Sequence, residues 1–494
     1  MNYILAVDIG TTSTKGLLVQ PNGKVFTSAH VPYPTDYPQA GYAEQDAETL
    51  LNAAKKVIAD CAKTNTNNIL GVSFSCAMHS LIAVDAKGKP LSPVILWGDT
   101  RSALQAKRLR ATKEGDAIYH ATGTPIHPMS PLCKLIWMKE NQPELFKAAT
   151  RFISIKEYLL FHLTGEWAID YSLASATGLF DIHKLSWMPE ALAQAGIDES
   201  KLSTCVSPYY SVSLADALIA KELHLPINTP FVLGGSDGCL ANLGSGVMEP
   251  GELSITIGTS GAARLTSKQY CPDPKQRIFN YRLDEEYFIT GGATNNGSVL
   301  LSWFSEKILD ETATAVELME RMMKVEAGAE GLIFLPYVLG ERAPFYNPNA
   351  RGVYFGLGQH HTDEHMLRAM VEGICFEIKT IVNAIEESAG RTLDQVVASG
   401  GFSRSESWVQ IMADILGKEI SVNDPNDASA LGAAIIGFKA LKIEMSFNAS
   451  LTAKVFHPNP EKHKNYQDHF QLFVELTNVL QPSFEKITAL QKRV

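Results

Sequence analysis

Apolar positions along the chain fall into short runs with helical patterns between them. The first is Leu5–Val19, LAVDIGTTSTKGLLV: an apolar run ending in Asp8, a turn of Gly and hydroxyl residues, then Lys15 and a second apolar run. This predicts two strands joined by a tight turn. Ala47–Lys63 places Leu50, Leu51, Ala54, Val57, Ile58 and Cys61 at helical spacing, with Asp46 as a cap. Ile69–Phe74 reads as a strand, and Leu81–Val84 with Val94–Trp97 as a hairpin across AKGKP. Ile155–Leu163 is helical, Asp170–Gly178 is a small polar stretch expected to line a cleft, and Phe231–Gly246 is a strand ending in a Gly-rich turn that holds Asp237.

The opening pattern then recurs. Glu252–Leu265, ELSITIGTSGAARL, is again strand, Gly–Thr–Ser turn, strand, with Ile257 where the first copy has Asp8. Two such hairpins, each opening a half of the chain, predict an internally duplicated α/β architecture. Further on come a Tyr281–Ile289 hairpin, helices near Val299–Ile308 and Ala313–Val325, a strand at Leu332–Pro336 and a long helix over Asp363–Ser388. Val396–Ser399 is a strand running through Gly400-Gly401 into a helix at Ser405–Leu416, and Ala428–Ala440 is an Ala- and Gly-rich helix. The boundaries expected are 1–246, 247–440 and a tail, 441–494, carrying one amphipathic helix near His463–Leu480.

Composition narrows the class. The chain has 494 residues, too many for one core and suited to two domains. Its hydrophobic content of 45% and charged content of 19% are those of a globular protein. A net charge of −10 argues against nucleic acid as a partner, though not against an anion held in a local basic pocket. Seven scattered cysteines without a C-x-x-C read as thiols in a reducing compartment. No apolar run approaches ~20 residues, and no cleavable leader is visible. A cytoplasmic protein that binds no membrane is expected.

The chemistry expected of the two hairpins is phosphate binding. Gly10 admits a ligand close to the backbone, and Thr11, Thr12 and Ser13 offer hydroxyl and N–H groups. Asp8 suits a hydrated Mg²⁺ and Lys15 a phosphate. Two such hairpins facing one another would clamp a polyphosphate from both sides, with Gly400-Gly401 at a helix start as a seat for a nucleotide. No Walker-type loop, dinucleotide fingerprint or protein-kinase signature is present. His361-Thr362-Asp363-Glu364-His365 has the spacing of a zinc motif, but Thr362 and Asp363 read as a helix cap, leaving His361 outside the helix.

With these residues in view, the chain resembles the FGGY family of carbohydrate kinases from Leu5 to about Ala440. Met129–Asn141, MSPLCKLIWMKEN, fits the family's first signature at every fixed place, and Gly352–Glu372 fits the second. GERAP at Gly340–Pro344 is also typical. The resemblance implies the two-domain duplicated fold of actin, Hsp70 and hexokinase (ribonuclease H-like), with an interdomain cleft. It implies ATP and Mg²⁺ as cofactors, and a sugar or sugar acid as the small-molecule partner; a homodimer stays open. It assigns Thr11, Thr12, Ser13 and Lys15 to the first phosphate hairpin, with Asp8 supporting Mg²⁺. Gly258 and Thr259 match the second hairpin, and Gly297, Gly400, Gly401 and Ser405 match positions around the nucleotide. Asp237 matches the catalytic base and stands beside the metal. Met78 and His79 match the pair that contacts substrate in xylulokinase-like members.

Within the family, Gly123–Trp137 and Ile153–Ile182 look most like the members that phosphorylate gluconate on its terminal hydroxyl. Gluconate is an anion, and Asp99, Arg101, His127 and Lys134 lie in the expected substrate loops, where His79, Arg101, His127 and Lys134 can answer its carboxylate. Xylulose, or another pentulose or polyol, is the alternative acceptor. A non-kinase ATPase of the chaperone or filament type is the reading from another class.

Overall fold

The computed structural model describes residues 2–247, 249–423, 427–446 and 454–491. Two mixed sheets organise it. The first has the spatial order Ser211–Ser213, Pro230–Ser236, Ile69–Cys76, Tyr3–Ile9, Ser13–Val19, Val25–Pro32. The three strands from Pro230–Ser236 to Tyr3–Ile9 are mutually parallel, and the remaining pairings are antiparallel. The second sheet runs Phe279–Arg282, Phe288–Thr294, Gly261–Ser267, Leu253–Ile257, Val396–Ser399, Ile420–Val422, Lys454–Phe456. Beyond its extra strand, Phe279–Arg282, it repeats the succession of the first read from Val25–Pro32: antiparallel, antiparallel, parallel, parallel, antiparallel. The duplication read from the two hairpins is thus a duplication of whole sheets.

Burial explains the sequence pattern of these strands. Tyr3–Ile9 and Ile69–Cys76 are covered on both faces and read as continuous apolar and small residues. The edge strand Val25–Pro32 alternates half-buried and exposed positions. Helix Ala47–Ala62, capped by Asp46 accepting from the Thr49 N–H, covers one face of the first sheet. The other face is covered by Ala428–Ala440, which arrives from the far end of the chain and packs on Tyr3–Ile9, Ile69–Cys76 and helix Asp237–Gly244. A Cβ on Gly432 would lie 2.0 Å from the Leu240 carbonyl oxygen, and one on Gly244 1.8 Å from that of Ala428. The two helices therefore touch backbone to backbone. The second sheet packs on the long helix Asp363–Ala389.

Four expectations change. Leu81–Val84 and Val94–Trp97 form no hairpin ladder: they share one bridge, Leu81 to Ile95, while Ile82–Val84 pairs with Arg151–Ile153 and Val94–Ile95 with Glu44–Gln45. The Gly-rich turn after Pro230–Ser236 is the helix Asp237–Gly244. Asp170–Gly178 is a buried helical turn whose Ser172 hydroxyl accepts the Ser236 N–H at 2.6 Å, so it buttresses the strand end and does not line the cleft. The tail supplies an edge strand, Lys454–Phe456, as well as a helix, Pro460–Gln491, longer than expected. Among the described residues no helix is long and apolar enough to cross a membrane.

Candidate active site

The two hairpins meet at a cavity of about 330 Å³ that Thr11 lines from one side and Gly258 and Thr259 from the other. Both turns are closed by a glycine N–H, the second one residue tighter than the first: Gly10 donates to the Ser13 carbonyl at 3.0 Å, and Gly258 to that of Ser260 at 2.9 Å. Thr11 Oγ1 accepts from Trp97 Nε1 at 3.0 Å, Thr12 is exposed, and Ser13 begins the second strand. Gly297 lies directly beneath the second turn, where a Cβ would come within 2.5 Å of the Gly258 carbonyl oxygen. Gly400, at φ +86°, and Gly401 end strand Val396–Ser399 beside Leu253–Ile257. The Ser405 hydroxyl is engaged as the cap of Glu406–Leu416, accepting from the Trp408 N–H.

Asp237 opens its helix at the cavity, and its Oδ1 accepts the Gly238 N–H at 2.7 Å. Burial first, then the Asp8 carboxylate, push its pKa up to about 6, against the pull of Arg264 and Arg342. Phosphoryl transfer does not demand a raised value in the free base, so the shift is an added property of this site. Asp8 is likewise raised, chiefly by burial. Its Oδ2 accepts from the Ser429 hydroxyl at 2.8 Å. Its Oδ1 is buried beside Ser75 and makes no hydrogen bond of ordinary geometry among the described residues. Lys15, opposite Asp8 in the hairpin register, pairs with Asp427 at 2.7 Å.

Met78 and His79 line the same cavity. His79 holds φ +67°; its Nδ1 lies 2.7 Å from the Ala176 carbonyl oxygen, so Nδ1 carries the proton and Nε2 faces the Tyr281 hydroxyl at 3.4 Å. Burial, reinforced by Lys134 and Arg342, lowers its pKa to about 3, so it meets a ligand as a neutral ring.

The other expected carboxylate partners are placed elsewhere. Arg101 is locked onto Asp99 and Glu44 and stacks 3.7 Å from the Tyr42 ring centroid; Asp99 also accepts the Ala43 N–H. Both charges are answered within that cluster, away from the cavity of Asp237. Lys134 is fully buried and donates to the carbonyls of His79, Ile95 and Leu96 at 2.6, 3.3 and 2.8 Å. Its ammonium braces the substrate loops from behind, and burial lowers its pKa to about 7. His127 lies beyond Tyr346, ring centroids 5.5 Å apart, facing a second, larger cavity, and burial keeps it neutral.

The cations that do reach the cavity are Arg264 and Arg342. Arg264 is half-buried, but its Nε and Nη1 are shielded from solvent and have no hydrogen-bond partner among the described residues. Arg342 donates from Nη2 to the Thr294 carbonyl at 3.0 Å and stacks 4.8 Å from the Trp97 centroid, with Nε unpartnered among those residues. Tyr281 and Tyr346 complete the wall. The signal for Arg264 was present in the sequence as a lone guanidinium within the otherwise uncharged strand AARLT, a position where an unpaired charge is rarely tolerated without a ligand.

Two sheets of matching strand order, paired glycine–hydroxyl turns across a cavity and a carboxylate at a helix start are the arrangement of the actin and hexokinase-like fold. Residues 3–244 match the model of the FGGY family of carbohydrate kinases, N-terminal domain, and 253–441 that of its C-terminal domain. The chain belongs to that family, and so is a carbohydrate kinase using ATP. It is 38% identical to a gluconokinase of Bacillus subtilis over 99% of this chain and 98% of that one. It is 30% identical to a xylulose kinase of Staphylococcus xylosus, covering 96% and 99%. Among solved structures, a gluconate kinase from Lactobacillus acidophilus superimposes with a TM-score of 0.93 at 32% identity, covering 98% of this chain and 99% of that one. A xylulose kinase from the same organism gives 0.92 at 32%, covering 99% and 100%.

Proposed function

We propose that this kinase transfers the γ-phosphoryl group of ATP to the terminal hydroxyl of D-gluconate, giving 6-phospho-D-gluconate. One observation carries the choice of acceptor: Arg264, whose shielded Nε and Nη1 have no partner among the described residues, lines the same cavity as Asp237. With Arg342 the cavity holds two guanidinium charges against the one carboxylate of Asp237. A monoanionic acceptor balances that charge and supplies the missing acceptor atoms. Arg342 lies in a stretch typical of the whole family, so Arg264 discriminates more. The greater identity to gluconokinases supports the same choice. Xylulose, which the Met78–His79 pair also suits, would leave the Arg264 charge unanswered.

In this reading Asp237 orients the acceptor hydroxyl and takes its proton as the new O–P bond forms and the bond to ADP breaks. Thr11, Thr12, Ser13, Lys15, Gly258 and Thr259 hold the phosphates, Gly297, Gly400 and Gly401 shape the nucleotide seat, and Ser405 stands at its edge. Asp8, whose buried Oδ1 makes no hydrogen bond of ordinary geometry among the described residues, and Asp237 are the residues that would hold Mg²⁺. When bound, the ion neutralises charge on the transferring phosphates. Residues 1–246 then carry the base and the Met78–His79 wall of the acceptor site, 247–440 the nucleotide site and the Arg264–Arg342 wall, and 441–494 a packing extension.

The test is ADP release across gluconate, xylulose, ribulose, glycerol and fuculose. Gluconate should give by far the highest kcat/KM; a higher value for xylulose would overturn the assignment.

A further inference from the structure

The first turn of helix Ala428–Ala440 touches the opening hairpin twice, across more than 400 residues of chain. Ser429 donates to Asp8, and Asp427 accepts from Lys15. Asp427 is the residue from which an aspartate ordinarily caps a helix, by accepting a backbone N–H. It makes no such bond here, and it occupies the left-handed region at φ +62°. Its carboxylate is turned off its own helix and onto Lys15 at 2.7 Å. The side chains are 43% and 26% exposed, so the pair stays open to exchange with a ligand.

We propose that Asp427 is a positioning residue for phosphoryl transfer: it parks Lys15 beside the phosphate hairpin until a nucleotide phosphate takes the ammonium over. This rests on the phosphate role proposed for Lys15. A half-exposed ion pair is weak, and a phosphate, with more charge and more acceptor atoms, displaces a carboxylate from an ammonium. The exchange moves no covalent bond. Because Lys15 must leave one anion to meet the other, Asp427 competes with ATP. Ser429, by fixing Asp8 from the same turn, keeps the hairpin and this turn in register, so Lys15 is held a short swing from either partner.

The experiment is a double-mutant cycle read by ATP binding to the full chain and by hydrolysis of ATP without acceptor. Asp427→Asn should tighten ATP binding about two- to fivefold and raise the acceptor-independent hydrolysis. Asp427→Glu should restore both towards the parent values. In a Lys15→Met background, Asp427→Asn should change neither. Loss of a merely structural contact would loosen ATP binding, so unchanged or weaker binding in Asp427→Asn overturns the proposal. Tightening that persists without Lys15 also overturns it, since Asp427 would then act by direct repulsion. If Lys15→Met alone leaves ATP binding unaltered, the phosphate role of Lys15 fails, and the proposal with it.

Discussion

Gly238 and Arg264 are in contact across the two halves of the chain: a Cβ built on Gly238 would lie 3.4 Å from both Nε and Nη2 of Arg264. The residue after the proposed base is thus small enough for a guanidinium from the second sheet to lie against it. Base and cation are set at one edge of the cavity by the packing of backbone on side chain. Gly238→Ala would also press on Met78 Cε, 2.9 Å away, and should raise KM for gluconate while leaving KM for ATP unchanged. Steady-state kinetics with each substrate varied in turn checks this.

Arg264→Gln removes the charge but keeps hydrogen-bonding capacity. A hydrogen bond to a charged group is worth about 1.5–3 kcal/mol, so kcat/KM for gluconate should fall about 10- to 150-fold. Xylulose, being neutral, should lose much less. Equal losses for both sugars would show that Arg264 serves the base or the fold instead of the acceptor's charge.

Asp237→Asn should lower kcat by about 10²–10⁴ while ATP still binds. The same variant should be more stable than the parent near pH 8. The folded-state pKa of Asp237, about 6, lies above the unfolded value near 3.8, so the native state binds more protons between them. The parent therefore loses stability as pH rises through that window, and Asn does not. Thermal melts should show Asp237→Asn gaining over the parent at pH 8 and losing that gain by pH 4.

From the same shift, kcat/KM should fall as pH drops through about 6, tenfold per pH unit below it, as the base becomes protonated. Because Asp8 contributes to the shift, Asp8→Asn should move this limb to lower pH in whatever activity remains. A limb that does not move would separate the two carboxylates electrostatically.

Gly432→Ala should destabilise the fold through the contact of its Cβ with the Leu240 carbonyl, 2.0 Å away in unrelaxed geometry. Overpacking of this kind costs about 1–3 kcal/mol. Since Leu240 is in the helix that Asp237 begins, turnover should fall together with the melting temperature.

Apolar runs and their recurrence made the sheets and the paired hairpins legible from sequence, and Ala and Gly content did so for the helix Ala428–Ala440, which is buried all round from Ala430 to Phe438. Asp237–Gly244 was hidden: glycines at both ends give it the look of a turn, and what makes it a helix is its contact with a segment nearly 200 residues later. The cations were misplaced for a related reason. Arg101 and Lys134 stand in the right loops, but the partners that use up their hydrogen bonds, Glu44, His79 and Ile95, are tens of residues distant. Arg264 sits in a strand whose apolar neighbours made it look incidental, and only the closure of two sheets around a cavity shows where its Nε and Nη1 are left without partners among the described residues.

The helix that covers one face of the first sheet is synthesised nearly 200 residues after the last strand of that sheet. At ~5–20 residues per second, a ribosome would take roughly 10–40 s to bring it out after strand Pro230–Ser236. During that interval Ile4, Ala6 and Val232 have no Ala433 or Ile436 to rest against. The nascent first half therefore waits with an apolar surface uncovered, and a fragment ending near residue 246 should be a client for chaperones or an aggregate. The order in which the chain is made thus ties the folding of the first sheet to near-completion of the chain.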